Sequence, residues 1–269
     1  MSADTAFLEA LEKAARQAGA EILRVRAAGF ETERKSDASP VTEADRAAEA
    51  VILEHLHKLA PGVPVVAEEA FAAGRIPATD GEFFLVDPLD GTREFVAGRD
   101  EFTVNIGLIE KGIPTAGILY APAKSLMYAA GPSCAWRLEE SAKHVLTGRD
   151  TDLSGLVAVA SRSHRDQATN DLLDALRVND TVGVGSSLKF TLLAEGRADL
   201  YPRYGRTMEW DTAAGDAILR AAGGQVMDIS GAPVRYGKAH VEDPFAHAGF
   251  MAFASQKAAD AYLSHMNLR

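Results

Sequence analysis

The chain has 269 residues, 47% hydrophobic and 25% charged, the make-up of an ordinary globular protein long enough to bury a full core. Its net charge of −10 excludes a surface built to coat nucleic acid, and its single cysteine, Cys134, excludes a framework of intramolecular disulfides. An acidic start that runs straight into a helical pattern, and no apolar run of membrane-spanning length, predict a cytoplasmic chain without signal peptide or integral membrane segment.

Apolar side chains at Leu8, Leu11, Ala15, Ala18, Ile22 and Val25 predict a helix over 4–28, closed by Gly29. A polar loop with Lys35, Asp37, Ser39 and Pro40 follows. Thr42 reads as the N-cap of a helix to about Leu59, with Val51, Ile52, Leu56 and Leu59 inward. Pro61-Gly62 ends that helix, and a short strand leads to Glu68. Residues 102–138 predict a β-meander with strands Phe102–Ile109, Thr115–Tyr120, Leu126–Ala130 and Ala135–Leu138. Polar residues 139–154 predict a junction between an N-terminal α+β domain, 1–150, and a C-terminal α/β domain, 151–269. Beyond the junction the pattern is strand 156–160, helix 166–177, strand 181–184, helix 187–195, strand 198–202, helix 212–222 and strand 225–228. A strand over 249–254 and a helix over 256–266 close the chain.

The most informative stretch is Asp87-Pro88-Leu89-Asp90-Gly91-Thr92, which follows the apolar strand Phe83–Val86. Pro88 fixes φ, Gly91 permits a sharp reversal, and two carboxylates and a hydroxyl share one tight turn. Carboxylates crowded at a strand end repel, and a hard cation is the compensation. Three more acidic segments accompany it: Ala67-Glu68-Glu69, Val41-Thr42-Glu43-Ala44-Asp45, and Glu209-Trp210-Asp211-Thr212-Ala213-Ala214-Gly215. Taken singly, Glu68 reads equally as a surface acid, Asp211 as an N-cap, and Asp45 as an acid in a helix's first turn. No His or Cys cluster competes, which makes zinc a poor alternative.

Together these segments resemble the inositol monophosphatase superfamily of Mg²⁺-dependent, lithium-sensitive phosphatases, over roughly Lys35 to Gly224. The resemblance implies a layered α-β-α-β-α sandwich of the inositol monophosphatase and sugar phosphatase type. It implies two or three Mg²⁺ per active site, held by Glu68, Asp87, the Leu89 carbonyl, Asp90 and Asp211. It implies too that Thr92 and Asp45 activate a water, with Glu68 the third catalytic residue, and that Glu68, Leu89, Asp90, Gly91, Thr92 and Asp211 meet the substrate. Peripheral membrane attachment occurs in the family, and no basic amphipathic helix supports it here.

Within the superfamily the chain is most similar to the 3'(2'),5'-bisphosphate nucleotidases. The residues that carry this are Arg93-Glu94-Phe95, Phe102-Thr103-Val104-Asn105-Ile106, Ser161-Arg162-Ser163-His164 and Gly185-Ser186-Ser187-Leu188-Lys189-Phe190. A substrate with two phosphates needs a second anion site. The resemblance assigns that site to Ser186, Lys189 and Arg203, with His164 on the nucleotide. A lysine point charge and an arginine fork together suit a dianion. The implied reaction is hydrolysis of adenosine 3',5'-bisphosphate to AMP and phosphate in sulfur assimilation, with the 5'-phosphosulfate form as second substrate. An inositol- or sugar-phosphate phosphatase is the alternative enzyme, and an inactive phosphonucleotide-binding protein the alternative of another class. Two departures stand out: Arg93 occupies a position usually filled by lysine, and the stretch Phe71–Gly81 is short and carries only Arg75 as a cation.

Overall fold

A computed structural model describes residues 5–266, apart from 36–37, 133, 140–141, 161–166 and 239. The N-terminal half holds α1 (Thr5–Ala28), β1 (Thr32–Arg34), β2 (Pro40–Thr42), α2 (Glu43–Leu59), β3 (Val65–Ala67), α3 (Glu68–Ala72), β4 (Glu82–Asp90) and α4 (Thr92–Val96). It continues through β5 (Thr103–Glu110), β6 (Ile113–Ala121), β7 (Leu126–Gly131), β8 (Cys134–Glu139) and β9 (Ala142–Leu146). The remainder is β10 (Val157–Val159), α5 (Gln167–Ala175), β11 (Asp180–Val182), α6 (Leu188–Ala194), β12 (Leu200–Arg203), β13 (Thr207–Met208) and α7 (Glu209–Ala221). Then come β14 (Gln225–Asp228), β15 (Ala246–His247), β16 (Phe250–Phe253) and α8 (Gln256–Met266).

Seven strands form one sheet in the order β3-β4-β5-β6-β7-β8-β9, antiparallel except for the β3–β4 pair. Side chains alternate across it, as strand geometry requires. Phe84, Val86, Val104 and Ile106 face α1 and α2, while Phe83, Leu85 and Ile109 face α6 and α7. The second sheet runs β11-β10-β12-β16-β14, with β11, β10 and β12 parallel and β16 antiparallel to both its neighbours. Its Tyr201, Phe250 and Ala252 join the α6–α7 core, and its Ala158, Met251 and Phe253 meet α5 and α8. The layers therefore read α-β-α-β-α, the sandwich the resemblance implies.

The structure differs from the sequence reading in several places. The polar junction contains β9, an edge strand whose backbone pairs with β8, with Leu146 buried and Lys143 3.6 Å above the Trp136 ring. Backbone pairing does not depend on side-chain polarity, which is why composition hid it. The loop after α1 contains a two-stranded ribbon, β1 with β2. Asp87–Asp90 is the irregular end of β4 rather than a free turn: its register against β5 shifts between Asp87 and Asp90. Pro88, which has no N–H to offer, sits inside that irregularity. Asp211 lies in the third position of α7, not at its cap, because the helix begins at Glu209.

Candidate active site

A cleft of about 1120 Å³ opens between the sheets. Of the residues expected at the site, Glu68, Asp87, Leu89, Asp90, Gly91, Thr92, Ser186, Lys189, Arg203 and Asp211 all line it. Asp45 does not line the cleft; it stands directly behind Thr92. His164 lies outside the described residues.

Asp45 is fixed by its helix start. The Thr42 N–H and hydroxyl both donate to Asp45 Oδ2, at 2.7 and 2.8 Å, while Thr42 Oγ1 accepts from the Ala44 N–H at 3.1 Å. The capping box thus consumes one carboxylate oxygen and leaves the other, Oδ1, 3.1 Å from Thr92 Oγ1. Thr92 has a second acceptor in the Leu89 carbonyl at 3.0 Å. Asp45 is 1% exposed, and burial raises its pKa against the lowering by the Thr42 hydrogen bonds. Capping and function are compatible here, since the cap is what aims the free oxygen.

Asp211 repeats the device on α7. Its Oδ2 accepts from the Met208 N–H at 3.0 Å and the Thr207 hydroxyl at 2.7 Å. Burial and then the charge of Asp90 lift Asp211 from 3.8 to about 6, despite those hydrogen bonds and Arg203. Burial lifts Glu68 from 4.5 to about 7, with Lys35 opposing and Asp211 and Glu69 adding to the rise. Asp87 is driven well above its ordinary range by burial and then by Glu68, Asp90 and Asp211. Glu68, Asp87 and Asp211, raised by burial and by neighbouring carboxylates, call for a cation. The donor set, carboxylates plus a backbone carbonyl with no nitrogen or sulfur, fits Mg²⁺. Among the described residues, no three His, Cys, Asp or Glu side chains are already gathered as a finished metal cage.

Lys35, named in the sequence only as part of a loop, supplies the local positive charge. Its Nζ lies 2.5 Å from Glu68 Oε1 and 2.6 Å from Glu69 Oε1. Burial alone would lower its pKa, but the two glutamates hold it above its usual range. Nothing local in the sequence tells which acids a loop lysine will meet.

Beside the acid cluster in the same cleft Lys189 Nζ donates to the Ser186 carbonyl at 2.8 Å and stands 5.9 Å from the Tyr201 ring centre. Arg203 is exposed and donates to the Arg206 carbonyl at 3.4 Å. Arg206, absent from the sequence reading, also lines the cleft and pairs with Asp243 at 2.6 and 2.8 Å. The basic and acidic groups adjoin directly. The Ser187 N–H donates to Asp90 Oδ2 at 2.5 Å, from the residue that precedes α6 to the acid that ends β4.

The sequence profile of the inositol monophosphatase family matches residues 4–262. The chain belongs to the inositol monophosphatase family. Among relatives, it is 46% identical over 232 residues to the 3'(2'),5'-bisphosphate nucleotidase CysQ of Salmonella typhimurium, covering 86% of this chain and 94% of that one. To the same-named protein of Escherichia coli K12 it is 46% identical over 202 residues, covering 75% and 81%. Among family structures, CysQ from Bacteroides thetaiotaomicron superposes with a TM-score of 0.75 at 35% identity, over 93% of this chain and 97% of that one. An inositol monophosphatase from Zymomonas mobilis gives 0.77 at 25% identity, over 99% and 100%. Overall backbone shape therefore does not tell relatives of the two names apart.

Proposed function

We propose that the protein is a 3'(2'),5'-bisphosphate nucleotidase, a phosphoric monoester hydrolase that converts adenosine 3',5'-bisphosphate to AMP and phosphate in sulfur metabolism. The observation that carries this reading is one cleft lined by two unlike poles, an acid cluster and, adjoining it, Lys189 with Ser186 and Arg203. A monophosphate leaves the second pole without a partner; a bisphosphate uses both. Relatives at up to 46% identity that bear the nucleotidase name support the same conclusion.

In this reading Glu68, Asp87, Asp90, Asp211 and the Leu89 carbonyl would hold Mg²⁺, which would supply positive charge to the reacting phosphoryl group. Thr92 Oγ1 accepts a proton from the attacking water and hands its own hydrogen to Asp45 Oδ1, 3.1 Å away. Burial makes Asp45 a stronger base than a free carboxylate, and its oxygen Oδ2, bonded twice to Thr42, keeps it from turning away. The first turn of α7 offers backbone N–H groups and a positive dipole end beside the acid pole. Lys189 and Arg203 hold the phosphate that is not cleaved.

The test is a phosphate-release comparison of adenosine 3',5'-bisphosphate, 3'-AMP and inositol 1-phosphate, with Mg²⁺ and after chelation. The wild-type protein is expected to prefer the bisphosphate and to fall silent without metal. Lys189→Ala should cost the bisphosphate about 2–3 kcal/mol in kcat/KM, the size of a charge-assisted contact, and leave 3'-AMP nearly untouched. Preference for inositol 1-phosphate, or equal losses on both nucleotides, would overturn this reading.

A further inference from the structure

Thr103 and Asn105 are polar residues in the otherwise largely apolar strand β5, 0% and 1% exposed, and their register partners across the sheet are Asp90 and Asp87. Polar groups buried this deeply need partners. The Thr103 hydroxyl and the Asn105 side-chain oxygen find theirs in the segment 185–187 that precedes α6, while the Asn105 amide nitrogen has no hydrogen-bond partner among the described residues. Thr103 Oγ1 lies 2.8 Å from Ser187 Oγ and 3.1 Å from Ser186 Oγ, and the Ser187 hydroxyl donates to Asn105 Oδ1 at 2.9 Å. Just before the strand, Glu101 Oε2 accepts from the Gly185 N–H at 3.0 Å. The fit there is tight: a Cβ on Gly185 would stand 2.9 Å from Glu101 Cβ. Three successive residues of the segment are thus fastened to alternate residues of one line of chain.

The hydrogens of this chain can be assigned by counting donors. Each hydroxyl has one hydrogen to give. Ser187 spends its own on Asn105, so the 2.8 Å contact with Ser187 uses the hydrogen of Thr103. The 3.1 Å contact then falls to the Ser186 hydrogen, donated to Thr103 Oγ1. Ser186 itself is held at φ +50°, a left-handed conformation that a non-glycine residue keeps only when its surroundings impose it. Its carbonyl, so oriented, is the acceptor that anchors Lys189.

We propose that Thr103 is a positioning residue for substrate class, holding Ser186 and, through the Ser186 carbonyl, Lys189 in the arrangement that receives a second phosphate. The inference rests on the nucleotidase reading and adds to it the device that builds the second anion site from the strand beneath the acid pole. Thr103 touches no reacting atom. Its effect is on the binding of the phosphate that stays.

The experiment compares wild type, Thr103→Val and Thr103→Ser on adenosine 3',5'-bisphosphate and on 3'-AMP, with AMP binding to the metal-free protein measured by calorimetry. Thr103→Val should raise KM for the bisphosphate about tenfold, the effect of loosening one charge-assisted contact through its support, with kcat nearly unchanged. AMP binding should weaken by a similar factor, 3'-AMP kinetics should stay as in wild type, and Thr103→Ser should restore both. Should Thr103→Val not fold, Glu101→Ala, a change at the half-buried end of the line, should show the same KM-selective loss. A wild type indifferent to the second phosphate overturns the nucleotidase reading and this proposal with it. A discriminating wild type whose preference survives Thr103→Val, or a variant that loses both substrates equally, overturns the proposal alone.

Discussion

The chemistry of the cleft depends on how single carboxylates are oriented. Asp45 and Asp211 sit in the third position of their helices, and each gives one oxygen to the backbone N–H that begins the helix. The remaining oxygen is thereby aimed, toward Thr92 in one case and left for the acid pole in the other. Thr92→Ala and Asp45→Asn are each expected to lower kcat, on the scale of the ~10²–10⁴-fold that general-base help contributes. On the proposed mechanism, in which the pair moves one proton together, the double variant should lose little beyond the worse single one. Steady-state kinetics of the four proteins checks this, and multiplicative losses would leave Asp45 with only its cap.

Among elements, α7 matters most, since it carries Asp211 across to the sheet that carries Asp87 and Asp90. It lies on glycines. A Cβ on Gly107 would stand 2.8 Å from Ala213 Cβ, and one on Gly117 would stand 2.7 Å from the Ala214 carbonyl oxygen. A larger residue at either strand position has to push the helix off the sheet. Gly117→Ala should therefore destabilise the fold by about 1–3 kcal/mol, the usual cost of overpacking, and lower kcat beyond what the lost folded fraction explains. Thermal unfolding and kinetics on the folded fraction measure the two effects separately. Unchanged kcat in a destabilised variant would detach Asp211's position from the helix–sheet spacing.

For the whole molecule, the acid pole is a source of instability until a cation joins it. Glu68 and Asp211 have folded-state pKa values of about 7 and about 6, above their ordinary 4.5 and 3.8. Groups raised on folding bind protons more tightly in the folded state. Their contribution to stability is complete below about pH 4 and disappears as the pH climbs through 6 and 7. Between pH 5 and pH 8 the metal-free protein should lose stability through these groups. Mg²⁺ should then raise Tm more at pH 8 than at pH 5, because at the lower pH protons compete for the same oxygens. Calorimetric scans at both pH values, with chelator and with saturating Mg²⁺, test this. Equal shifts, or none, would remove the acid pole as the metal site. No helix among the described residues is long and apolar enough to cross a membrane.

Patterns along the chain sufficed for the periodic elements and the chemical class of the site. The α1 stripe, the Thr42 cap and the meander strands were legible because period and capping are local properties. Glu68, Asp87, Asp90, Thr92 and Asp211 were legible because their residue types and neighbours form a pattern along the chain, and all of them line the one cleft. The tertiary structure alone decided which groups meet. Lys35 finding Glu68 and Glu69, the Ser187 N–H finding Asp90, and Thr103 finding Ser186 join residues 33 to 97 positions apart. The β9 strand and the glycine seat of α7 belong to the same class. Such contacts are set by the packing of layers, and packing is a property of surfaces brought together, which no window along the chain contains.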